Sequence, residues 1–119
     1  AGKAEEALTW LRRTKAHSDA ARAEVEYLRG LAHFSLGRYD TAREACLRAV
    51  VLGFSRPDGA RLVSACTLRL QEDWDGARRE LLALTGPGTD AGIARMARNE
   101  LGKLPTVWAS ARTADTERR

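Results

Sequence analysis

Apolar residues recur at helical spacing along most of the chain, and glycine-rich or polar breaks interrupt them at intervals. Residues 23–36 carry Val25, Leu28, Leu31, Ala32 and Leu36, and residues 60–70 carry Leu62, Ala65, Cys66, Leu68 and Leu70. Both sets follow the i, i+3, i+4 spacing of one helix face. A second kind of run opens after each break. Tyr39-Asp40-Thr41-Ala42 begins one, and Trp74-Asp75-Gly76-Ala77 begins another. Gly53 closes a helix, and Ser55-Arg56-Pro57-Asp58 opens the next, since proline is tolerated in a first turn. Gly86-Pro87-Gly88 is the strongest break. Thr89 or Asp90 then caps a helix carrying Ile93, Ala94, Met96, Ala97 and Leu101, which Gly102 stops. Pro105 opens a last segment with Val107, Trp108 and Ala111, followed by a polar tail over residues 113–119. The pattern predicts an all-α chain of about seven helices.

These runs repeat. A shift of 35 residues lays Gly2-Lys3-Ala4-Glu5-Glu6-Ala7 on Gly37-Arg38-Tyr39-Asp40-Thr41-Ala42, and that on Glu72-Asp73-Trp74-Asp75-Gly76-Ala77. Leu11 falls on Cys46 and then on Leu81. Each unit reads as a helix, a tight turn and a second helix. Gly37 suits a left-handed helix end. Asp40 and Asp75 lie in a first turn, where negative charge favours the macrodipole. Tyr39 and Trp74 are bulky enough to fill the wedge between two helices. Gly30 and Ala65 share one crossing, where neighbouring helices come within about 8–10 Å and larger side chains would separate them. Thr41 and Gly76 read as freely variable, whereas Ala42 and Ala77 do not change.

Gly30, Ala32, Gly37, Tyr39, Ala42 and Ala49 resemble the pattern of the tetratricopeptide repeat (TPR) family. The match extends to Ala65, Trp74 and Ala77 in the next unit, which has Glu72 at the glycine place. The resemblance implies a TPR-like α-solenoid of antiparallel helices, roughly three pairs plus an unpaired N-terminal helix. Residues 1–119 then form one domain. Residues 2–17 are the second helix of an incomplete unit, 20–53 and 57–86 are full repeats, and 89–117 are a degenerate terminal unit with its tail. The resemblance further implies that first helices line a concave groove for a peptide or helix. The groove-facing places are Glu24, Tyr27, Leu31, Phe34 and Ser35, then Leu62, Cys66, Arg69 and Leu70. Tyr27 and Leu31 stand where one subgroup of the family places the Lys and Asn that clamp chaperone tails, so that ligand is not expected.

The N-terminal piece lacks a first helix to cover Ala7, Leu8, Trp10 and Leu11. Leu8, Trp10 and Leu11 are therefore candidate oligomer contacts, unless the piece was cut from a larger protein.

At 119 residues, 44% hydrophobic and 30% charged, the chain has the size and balance of one globular domain. No apolar run approaches the roughly 20 residues of a membrane span, so no membrane insertion is expected. The net charge of +4 comes almost wholly from arginine, in a chain rich in Ala, Leu and Gly. That bias suits a GC-rich bacterial genome. Cys46 and Cys66 are too few for a disulfide framework and favour a reducing, cytoplasmic compartment over the periplasm.

Catalytic chemistry has little to stand on. His17 and His33 are the only histidines, and neither has a His or Cys four residues away. No metal, cofactor, P-loop or dinucleotide motif is indicated. His33 reads as a packed structural residue. Arg12, Arg13, Arg43, Arg48, Arg78 and Arg79 recur on the second helices, interspersed with Glu5, Glu6, Glu44 and Glu80. The sequence thus favours a non-enzymatic interaction module that scaffolds a bacterial protein complex, with another protein as partner. The alternative is nucleic-acid or acidic-partner binding through the arginine face, weakened because no aromatic-basic alternation accompanies it.

Overall fold

The computed structural model describes residues 2–105. Among them are six helices and no strand: α1 (Gly2–Arg13), α2 (Asp19–Ser35), α3 (Tyr39–Val51), α4 (Pro57–Leu70), α5 (Trp74–Ala83) and α6 (Ala91–Gly102). The expected seventh helix, with Val107, Trp108 and Ala111, and the polar tail lie outside the described residues. α1 stops at Arg13, short of the expected residue 17, and α2 starts at Asp19, before the expected Ala23. The earlier start has a local cause. Ser18 is an N-cap whose side chain accepts a hydrogen bond from the Ala21 N–H. α4 likewise begins at Pro57, where a missing N–H costs nothing.

Each helix packs on the next in sequence, and α4 also touches both α2 and α6. Three helix ends close in the same way. Gly37, Gly53 and Glu72 all have positive φ, at 76°, 87° and 63°. After each, a backbone N–H returns to a carbonyl five residues earlier: Arg38 to His33 at 2.9 Å, Phe54 to Ala49 at 3.0 Å, and Asp73 to Leu68 at 2.9 Å. Glu72 therefore adopts the same left-handed turn as Gly37 without a glycine's freedom. The turn recurs because the last carbonyls of each helix need donors, whatever residue stands there.

The core has two parts. Ala23, Cys46, Ala49, Phe54 and Ala60 join α2, α3 and the start of α4. Leu62, Ala65, Leu68, Ala77, Leu81 and Ala97 join α4, α5 and α6. Small residues set the spacing, as expected at Gly30 and Ala65. A β-carbon on Gly30 would stand 2.6 Å from the Cys46 sulfur and 3.2 Å from the Ala42 carbonyl oxygen. Ala65 is fully buried. Tyr39 meets Phe34 edge-on at 5.7 Å between ring centroids, and Trp74 packs against the second core cluster.

Some expectations need correction. A side chain at Gly76 would displace the Asp73 cap. The glycine is buried, its N–H donates to the Asp73 cap at 3.0 Å, and a β-carbon there would come within 2.7 Å of that carboxylate. Leu28, Leu70 and Met96 belong to the apolar stripes but are exposed.

Candidate functional site

Between α1 and α2 lies an open cleft of about 830 Å³. Its α1 wall presents Ala4, Ala7 and Trp10, and its α2 wall Leu28, Leu31 and Ser35. Trp10 is 68% exposed and Leu28 41%. The repeat register explains why the cleft is open. Ala7 and Trp10 correspond to Ala42 and Ala45 on α3, which are fully buried, because α2 lies against α3 while no described helix lies at the same place on α1.

The expected groove residues do not share one surface. Leu31 lines this cleft. Tyr27 lines a smaller one of about 400 Å³, with Arg56, Gly59 and Ile93, at the N-terminal ends of α4 and α6. Tyr27 stacks on Phe54 at 4.5 Å, and the Arg56 guanidinium lies 5.7 Å from the Tyr27 ring and 5.3 Å from that of Phe54. Glu24 is exposed and pairs with Arg56 at 3.6 Å. Phe34 packs on Tyr39. Leu62 is a core residue, and Cys66 is half-buried against the same core. Arg69 is held to Glu100 at 2.6 Å. Of the candidate oligomer contacts, Leu8 and Leu11 are buried within this chain, and Trp10 remains open. Sequence reasoning missed Leu28 as a cleft residue, because its spacing fits the apolar stripe equally well. The absent cover over α1 was the available signal.

The titratable groups are tuned for structure. Burial pushes the Cys46 thiol up to about 11, and burial, helped by the Glu100 carboxylate, does the same to Cys66. Both are protonated near neutrality and poor nucleophiles. Burial, then the charges of Arg38 and Arg29, lowers the His33 pKa, and its Nδ1 is buried without a hydrogen-bond partner. Burial alone would raise Glu100, but its bonds to Lys103 and Arg69 outweigh that and lower it. Burial raises Tyr27 against the opposing charge of Arg56. Among the described residues, no three His, Cys, Asp or Glu side chains converge to hold a metal ion.

The arginine face is partly neutralised by its own chain. Arg43 pairs with Glu80 at 3.0 Å, Arg48 with Glu26 at 3.0 Å, and Arg79 with Asp75 at 3.7 Å. No helix among the described residues is long and apolar enough to cross a membrane. The chain has no significant match to any protein-family model, curated protein or solved structure.

Proposed function

We propose that this chain is a non-enzymatic protein–protein interaction module, a TPR-like stack of helix pairs that receives a peptide or helix from another protein. The recurring left-handed turns at Gly37 and Glu72, 35 residues apart, support the stacked-repeat reading. The observation that carries the function is the α1–α2 cleft. Its lining is mostly apolar, with the charged Lys3 and Glu6 among it, and Trp10 and Leu28 stand open to water there. Such a patch on a folded surface marks an interaction site. The nucleic-acid reading is less favoured, because Arg43 and Arg48 are already held by carboxylates.

Selection of a displayed peptide library against the wild-type chain tests this. The enriched peptides bind the wild type and lose affinity for Leu28→Glu, whose exposed position lets the variant fold. Equal binding by both proteins would remove the cleft from consideration. Retention on heparin that survives Leu28→Glu but collapses with salt would favour the arginine face instead.

A further inference from the structure

α1 carries its charges in order. Glu5 and Glu6 stand in its first half, and Arg12 and Arg13 stand at its end. Lys3, Glu6, Ala7, Trp10 and Arg13 are all exposed, at spacings of three and four residues that keep them on one face. Lys3, Glu6, Ala7 and Trp10 line the cleft, and Glu6, Trp10 and Arg13 share an adjoining hollow. Glu5 is engaged by Arg38 at 3.1 Å, whereas no ion pair engages Lys3, Glu6 or Arg13 among the described residues.

This face complements itself when reversed. A twofold axis at Ala7 lays residues 3 and 4 of one α1 opposite residues 11 and 10 of the other. Each Trp10 then covers Ala4 of the second copy, with the Lys3 stem against its indole. Side chains lean toward the N-terminus of their own helix. In an antiparallel pair, Glu6 of one copy and Arg13 of the other therefore lean toward each other. The small Ala7 permits close approach at the axis. A parallel pair would set Glu6 against Glu6 and Arg13 against Arg13, so charge selects the antiparallel arrangement.

We propose that, without a partner, two copies of the chain pair antiparallel through α1 and close each other's cleft. Under the interaction-module reading, an incoming peptide or helix displaces the second copy; the pairing itself does not depend on that reading. Trp10 thereby loses its exposure to water, as a large apolar side chain on a free surface tends to do through association.

Sedimentation velocity of the chain from micromolar to millimolar concentration tests the pairing and should show a reversible monomer–dimer equilibrium. Trp10→Ala and Ala7→Arg should leave monomers with the wild-type circular dichroism, since both positions are exposed. Glu6→Arg or Arg13→Glu alone should raise the dissociation constant about tenfold, and the two changes in one chain should restore it. Under mild oxidation Ala7→Cys should form an intermolecular disulfide that neither the wild type nor Arg12→Cys forms, because only residues at the axis come close enough to their own copies. A monomer throughout the range, or a dimer indifferent to Trp10→Ala and Ala7→Arg, overturns the pairing. A charge swap that fails to restore it overturns the antiparallel register. A monomer that still binds the library peptides overturns the pairing and leaves the interaction module standing. A dimer that selects no peptide supports the pairing and counts against the module. A longer gene product that is monomeric, with its own added residues protecting Trp10, assigns the cleft to that segment and also overturns the pairing.

Discussion

Gly30 lies against Cys46 so closely that a β-carbon on the glycine would stand 2.6 Å from the sulfur. The contact explains a glycine in the middle of a 17-residue helix. Ala would improve helix propensity by about 1 kcal/mol, but the overpacking costs about 1–3 kcal/mol. The crossing therefore decides the residue, and local preference does not.

Gly30→Ala should lower stability by up to about 2 kcal/mol in chemical denaturation, since strain offsets or exceeds the propensity gain. The same change in a Cys46→Ala background should cost much less, because the sulfur it meets is gone. Additive effects of the two substitutions would show that the helices shift apart freely and that the close approach is not a constraint.

Glu72 occupies a left-handed conformation that suits glycine, at φ 63°. Glu72→Gly should raise stability by about 0.5–1 kcal/mol, and Gly37→Ala should lower it by about 1 kcal/mol. Thermal unfolding of the two variants measures both. Opposite signs at equivalent turns are the expected signature, and a destabilised Glu72→Gly would contradict it.

His33 gives a pH dependence on the acid side of neutrality. Its folded pKa lies below the unfolded value of about 6.5. The unfolded chain therefore takes up the proton first. The stabilising contribution is fully present above the unfolded pKa and is lost as pH falls through the window down to the folded value. His33→Gln should flatten the stability profile in that window. An unchanged slope would show that the imidazole protonates as easily in the folded chain.

Glu100 acts at lower pH. Its carboxyl is depressed by the Lys103 and Arg69 bonds, which overcome the opposing effect of burial. Its contribution is present above the unfolded carboxylate value of about 4.3 and is lost as pH falls through the lower folded pKa. Glu100→Gln should reduce stability near neutrality and remove part of the acid transition. Comparison of denaturation at neutral and acidic pH checks this. An equal loss at both would assign Glu100 a packing role only.

The helices were legible because each announces its ends. Gly37, Gly53, Pro57 and Asp90 are all local signals, and the structure uses every one. Glu72 shows the limit of reading by residue type, since its left-handed turn is set by the helix end and visible only through alignment with Gly37. The site was less legible. Periodicity puts Leu28 and Leu31 on one side of α2 but cannot say which neighbour covers them. Leu62 and Arg69 share the equivalent surface of α4, yet one enters the core and the other is drawn to Glu100, 31 residues away. Such long-range pairings leave no local trace in the chain.

Amide chemical-shift mapping of the isotopically labelled chain, titrated with a peptide enriched in the library selection, tests the central claim most directly. The account predicts perturbations concentrated at Ala4, Ala7, Trp10, Leu28, Leu31 and Ser35, with the Trp10 indole among them. Perturbations centred on Arg12, Arg43 and Arg79, with the cleft silent, would contradict it.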